Sequence, residues 1–338
     1  MKIIPRLFVC AVLCLLAGCG QVADTRPAEA DLRPPQLQAV ISTGPSELTI
    51  EFDEDTSLVP DKTRITPPLA VTEVTGPGKL IQVRGETQSP GRPYTLEAEA
   101  EDAKGNRASF LADFYGYNGR VPRLLVNELT TQGSGNHPDL VEIKALTGGD
   151  VGGVVLYQGT PGSFDNRIVF PHLEVAEGAF ILVHWKPSGD PAEVNETEDI
   201  TASKGFDATD SAWDLWVADG KGLSGNNGIL SLYDRQGGKC LDGLLYSNRT
   251  SQSDEAYRGF GSAVMLARAE ELVQAGGWAR SGARVSPEDA VNPDGSTATR
   301  SIGRQSSGAD TNTAGDWHIV PTRKATFGKE NSDEVYVP

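Results

Sequence analysis

Between residues 36 and 117 apolar and polar side chains alternate with a period of two, and this alternation restricts the fold more than any other feature of the chain. In Leu48-Thr49-Ile50-Glu51-Phe52-Asp53 the apolar residues share one face and the polar ones the other. The same holds for Tyr94, Leu96, Ala98 and Ala100, and for Phe110, Ala112 and Phe114. Successive strand side chains point to opposite faces, so the pattern predicts half-buried antiparallel strands with one face in a core. Asp102-Ala103-Lys104-Gly105-Asn106 separates the last two runs and reads as the turn of a hairpin. With 38 Gly and 21 Pro among 338 residues, the chain is rich enough in turn formers to be all-β. Asp53, Glu54 and Asp55 read as a solvated loop.

A second strand-rich region starts near Pro122, with runs at 124–129, 140–143, 155–157 and 168–170. Ala179 to Trp185 is nearly continuously apolar, as expected of a central strand covered on both faces. Ile229–Asp234 and Lys239–Tyr246, joined by Arg235-Gln236-Gly237-Gly238, form the clearest hairpin. Two long stretches, at about 186–213 and 247–300, are insertions relative to the family resemblance described below. The second holds a helix capped by Ser262, with an apolar stripe of Val264, Leu266, Leu272 and Val273 that ends at Gly276-Gly277. Ser286-Pro287-Glu288-Asp289 reads as the start of another short helix.

Residues 1–18 read as a secretory signal: Lys2 and Arg6 precede an uncharged apolar run that is too short to span a bilayer. The run ends in Leu16-Ala17-Gly18-Cys19, which resembles the bacterial lipobox. The resemblance implies cleavage before Cys19 and fatty acylation of its thiol and new amino group, anchoring the chain to a lipid bilayer. Residues 19–35 then form a lipidated, proline-rich tether. Gly20 rather than Asp follows the cysteine, so sorting to the outer membrane or cell surface is expected. Loss of the signal would leave Cys240 as the single non-lipidated thiol, read as a small hydrophobe in a strand.

Residues 36–117 resemble the bacterial Ig-like domains of S-layer proteins through Thr49-Ile50-Glu51-Phe52-Asp53-Glu54, Tyr94-Thr95-Leu96 and Asp102 to Asn106. Residues 122–331 resemble the lamin-tail domain. The matching pieces are Val126-Asn127-Glu128, Asp139-Leu140-Val141-Glu142-Ile143, Asn227-Gly228, Ser301-Ile302-Gly303-Arg304, and Asp316-Trp317 with Thr326-Phe327-Gly328 and Asn331. Leu140 stands where that family usually has Trp, and Phe327 where it has Pro. The resemblances imply two Ig-like β-sandwiches in tandem, the second with a helical insertion, followed by a tail at 332–338.

The net charge of −16, or −18 once Lys2 and Arg6 leave with the signal, opposes binding to a phosphate backbone, so no nucleic acid is expected as partner. No G-x-S-x-G elbow is present, and His137, His172, His184 and His318 lie in separate segments. The chain is therefore expected to be non-catalytic, and no cofactor is expected. One thiol and no H-E-x-x-H disfavour zinc. Calcium is the better metal candidate, through Asp310, Asn312 and Asp316, although an Asx turn before Trp317 accounts for the same spacing and is preferred. Glu128 and Glu142 could form an acid–base pair; hydrogen bonds to nearby loop backbone explain them at less cost. Trp213 and Trp216 lie in a polar insertion and are candidates for stacking against a sugar. The expected function is that of an envelope lipoprotein offering a binding, adhesion or scaffolding surface to a protein or glycan. A carbohydrate-binding protein is the alternative, and an envelope hydrolase a more distant one.

Overall fold

A computed structural model describes residues 31–306 and 310–338, so the signal segment and Cys19 lie outside the described residues. Among the described residues, strands in several sheets beside one short α-helix make the fold all-β.

Seven strands come first: β1 (Leu37–Gly44), β2 (Glu47–Leu58), β3 (Arg64–Thr66), β4 (Val71–Val74), β5 (Gly78–Gly85), β6 (Pro93–Asp102) and β7 (Arg107–Tyr115). They form one hydrogen-bonded sheet in which β2 changes partners along its length. Glu47–Glu51 pairs with β1 on one side and β5 on the other, whereas Thr56–Leu58 pairs with β6. The acidic stretch Asp53-Glu54-Asp55 is therefore not a loop after the strand. It lies inside β2, where the ladder to β5 is interrupted. Leu48, Ile50, Phe52, Leu96, Ala98 and Phe114 are buried in a shared core, as the alternation requires. In the β6–β7 turn the Asp102 carboxylate accepts from the Lys104 and Asn106 N–H groups and from Asn106 Nδ2.

The remaining strands are β8 (Leu124–Thr130), β9 (Leu140–Ala145), β10 (Gly149–Asp150), β11 (Val155–Thr160), β12 (Ser163–Val169), β13 (Glu174–Val175), β14 (Phe180–His184), β15 (Trp213–Trp216), β16 (Asn227–Tyr233), β17 (Cys240–Ser247), β18 (Ile302–Arg304) and β19 (Trp317–Ile319). A four-stranded sheet runs β12-β11-β16-β17 and a six-stranded one β15-β14-β9-β8-β18-β19. They bury one core between them, to which Leu156, Leu230, Leu232 and Leu244 contribute from the first sheet and Val126, Val141, Ile143, Ile181 and Val183 from the second. All five residues of β14 are buried. Its other face carries Phe180 and Leu182, which pack with Leu140, Ala212 and Phe327.

Residues from Pro34 onward form one compact unit. The seven-stranded part meets the rest closely at Gly91, whose φ is +64° and where an added Cβ would lie 2.6 Å from Gly152 backbone. The Asn118 side chain ties the connector down by donating to the carbonyls of Asp150 and Gly152.

Both insertions are folded into the body. The Ser262 hydroxyl caps α1 (Ala263–Gln274) by accepting from the Met265 N–H. The buried face of α1 consists of Arg268, Ala269 and Leu272, while Val264 is 50% exposed, so the stripe expected to start at Val264 is rotated toward solvent there. Arg268 makes a two-pronged ion pair with Asp165 at 2.8 Å, and Glu271 accepts from Thr160 and Gly162, clamping the helix over the β11–β12 hairpin. Phe260, Leu272, Trp278, Val285 and Val291 from the same insertion join the main core. Ser286–Asp289 forms a single 3₁₀ turn with a reciprocal cap rather than a longer helix.

Docking of the helix by its Leu272 side predicts an ordered response to three substitutions, read as unfolding free energy by urea titration. Leu272→Ala should cost about 2–5 kcal/mol. Ser262→Ala should cost about 1 kcal/mol. Val264→Ala, on the exposed face, should stay within about 0.5 kcal/mol of the parent.

Candidate functional site

The outer face of the six-stranded sheet carries an unusual density of buried polar groups. Glu128 on β8 and Glu142 on β9 are directly opposite each other across the ladder, and neither is exposed to solvent. A register shift between Val126 and Glu128 places Asn127 beside them. The segment Thr326–Asn331 closes over this pair. Glu128 accepts from Ser301 Oγ, from Thr326 Oγ1 at 2.6 Å and from the Thr326 N–H at 2.9 Å. Glu142 accepts from Asn127 Nδ2 at 2.6 Å and from the Gly328 N–H at 2.5 Å. Asn331 completes the set by donating to the carbonyls of Asn127 and Arg304. Burial pushes the Glu128 carboxyl up against these hydrogen bonds. The Glu142 carboxyl is pushed up to about 8, mainly by burial, with the charge of Glu128 adding to the rise. Donors from Ser301, Asn127 and the Thr326–Gly328 segment meet on the pair, so it latches that segment to the sheet.

The first insertion covers the other half of the same face. Glu196 accepts from the N–H groups of Asp214 and Ser203, and Asn195 Oδ1 accepts from the Trp216 N–H. Trp216 lies flat on His184 with ring centroids 3.7 Å apart, and its Nε1 donates to Ser203. Gly205 sits so close that an added Cβ would be 2.3 Å from the indole. Trp213, three residues earlier on β15, faces the main core instead. The two indoles therefore point to opposite faces and make no joint platform for a sugar, because a strand reverses side-chain direction at each residue.

The acidic stretch before β19 is likewise turned inward. Asp310 accepts from Arg304 NH1 at 2.7 Å and from the Asn312 N–H. Asp316 accepts from Thr311 and Thr313 and caps the 3₁₀ turn Ala314–Asp316. The cation that these carboxylates face is Arg304. Arg304 also donates to the Val126 carbonyl and to Asp242 Oδ2. Burial pushes the Asp242 carboxyl upward, and the Arg304 guanidinium pulls it back. Burial also raises the Cys240 thiol to about 11, which leaves it a poor nucleophile at neutral pH.

Of the four histidines, His184 is buried against Asp214 at 2.6 Å and His318 contacts the Ser332 carbonyl. His172 meets the buried Asp150 and the exposed Glu174 beside a two-stranded ribbon, where Glu174 also pairs with Arg120. His137 differs in facing a cavity. Its Nδ1 lies 2.9 Å from Asp207 Oδ1, and both residues line a cleft of about 410 Å³. The cleft opens where the β8–β9 loop, the first insertion, the approach to β18 and the C-terminal segment meet. Its further walls include Thr299, Arg300, Arg323 and Phe327. Sequence reading missed this cleft because its parts come from four separated segments that only the tertiary fold brings together.

Together these features define an all-β protein with a buried polar latch and a ligand-sized cleft at the seam of its coverings. The TP_1001_2nd family, described as a protein second domain, matches residues 122–319, and the chain belongs to that family. A Treponema pallidum (strain Nichols) protein described as an uncharacterized protein is 26% identical over 160 residues. That match covers 47% of this chain and only 40% of the relative's length.

The raised Glu142 carboxyl has a measurable consequence. A carboxyl with a folded pKa above its unfolded value binds more protons in the fold, so its contribution is fully present below about 4.5 and is lost as pH rises toward about 8. Glu128 and Asp242 shift in the same direction. The thermal midpoint should therefore fall between pH 5 and pH 8.5, and the fall should be shallower in Glu142→Gln. A midpoint that rises over this interval would contradict the assignment.

Proposed function

We propose that the chain is a lipid-anchored envelope protein acting as a non-catalytic binding module, with the His137–Arg323 cleft as its ligand site. Acylated Cys19 would hold it to the outer membrane or cell surface, and residues 36–117 would form an Ig-like sandwich beneath a lamin-tail sandwich at 122–331. One packing observation supports the lamin-tail reading. The two departures from that pattern, Leu140 for Trp and Phe327 for Pro, pack in the same small cluster with Phe180 and Leu182, so volume lost at one is offset at the other. The observation that carries the functional reading is the division of labour among polar groups. Glu128, Glu142, Asp242 and Arg304 are consumed by internal hydrogen bonds, while the cleft keeps polar side chains on an open cavity. Its size is within the range of about 300–1,000 Å³ common for small-molecule sites.

Two measurements test this. Cells given an alkyne-tagged palmitate should label the parent and retain it in washed membranes, whereas Cys19→Ala should be unlabelled and released. Ala298→Trp, which fills the cleft, should abolish retention of the envelope component that the immobilised parent captures, with an unchanged melting temperature. Equal retention by both would remove the cleft as the binding site.

A further inference from the structure

Resting on the cleft being the ligand site, we propose that its ligand is a hydroxylated oxyanion, a sugar acid or sugar phosphate, held by Arg323 and Arg300 with His137 reading a hydroxyl. The charge of the cleft is the first argument. Its lining carries two guanidiniums against one carboxylate, in a chain whose net charge is −16. Neither guanidinium pairs with a carboxylate among the described residues. A local positive site on an acidic protein concentrates small anions there.

The geometry of the arginines is the second argument. Arg300 is stacked over Tyr336 at 4.2 Å, and its Nε donates to Thr297 Oγ1 at 3.4 Å. Stacking fixes the plane of the guanidinium and leaves its terminal in-plane N–H groups available, which suits a carboxylate or phosphate. Arg323 is placed by its own N–H, which donates to the Thr299 carbonyl at 2.7 Å. Its side chain is exposed along the cleft.

Backbone strain is the third argument. Among the described residues, four non-glycine residues have a left-handed φ, and two of them, Asp207 and Arg323, both at 60°, line this one cleft. Such conformations are costly for a side-chain-bearing residue and collect at ligand sites. Asp207 holds the His137 ring through Nδ1 at 2.9 Å, which leaves Nε2 as the nitrogen for a ligand hydroxyl. The combination of anion donors and a hydroxyl partner is what selects a hydroxylated anion over a bare one.

Isothermal titration of the purified full-length chain in detergent should compare glucuronate, glucose 6-phosphate and glucose, which share a hexose body and differ in charge. Saturable binding of one or both charged sugars, at least tenfold tighter than glucose, is expected, and the preferred one tells carboxylate from phosphate. Arg323→Gln should weaken that binding at least tenfold without lowering the melting temperature. Arg323→Gly should weaken it equally while raising the melting temperature, since glycine tolerates the left-handed φ. Failure of both charged sugars to bind, or unchanged affinity in Arg323→Gln, overturns the proposal. Glucose binding as tightly as the charged sugars, and lost in Ala298→Trp, overturns the oxyanion but keeps the cleft as ligand site. Charged-sugar binding that survives Ala298→Trp overturns both.

Discussion

The ion pair between Arg304 and Asp242 is the constraint around which the larger body is arranged. Asp242 belongs to β17 in the four-stranded sheet, and Arg304 to β18 in the six-stranded one. Asp242 Oδ2 also accepts from the Val126 N–H on β8, so a single carboxylate spans the core from sheet to sheet. Both partners are buried, and taking two charges out of water is recovered only if their remaining donors and acceptors are met. They are met here by the Val126 carbonyl, the Gly243 N–H and Asp310. The face of Trp317 covers the guanidinium at 4.7 Å. Apolar contacts could hold two sheets together in several registers; a buried ion pair with directional partners permits one.

The outer face of the six-stranded sheet follows the same logic with carboxylates alone. Glu128 and Glu142 are carboxyls directly opposite on neighbouring strands, and burying both is unfavourable unless donors surround them. The chain supplies those donors from Ser301, Thr326 and Gly328, so the C-terminal segment is held by polar contacts as much as by Phe327. The first insertion repeats the device with Glu196 and Asn195. These two coverings meet where Ala212 and Ser211 pack on Phe327 and Gly328, and the cleft opens beside that contact, with His137, Asp207, Arg300 and Arg323 in its walls.

Strands with one wet face were legible in the sequence because their alternation is a local consequence of burial. Leu48, Ile50 and Phe52 are buried as the pattern requires, and the Asp102–Asn106 turn follows from side-chain chemistry within five residues. The strand Phe180–His184 was legible for the opposite reason, its unbroken apolar run indicating two covered faces. What covers the second face was not legible, since Trp216, Gly205 and Ser203 meet through tertiary contacts alone. The Asx turn preferred for Asp310 and Asp316 is present, but the same limit hid the arginine, Arg304, that these carboxylates face. In α1 the apolar stripe gave the helix but not which residues it buries, because Arg268 is buried by its pairing with Asp165 while Val264 stays exposed.

The distance along the chain between Glu128 and the residue that satisfies it carries a consequence for biogenesis. The Thr326 hydroxyl and N–H follow Glu128 by 198 residues. During synthesis β8 and β9 therefore emerge long before their acidic side chains can be desolvated at acceptable cost. Until that segment arrives, the half-made sheet must keep this face wet. Polar closure thus acts as a checkpoint, so that the nascent body matures in one late step instead of hardening piecemeal from its amino-terminal side.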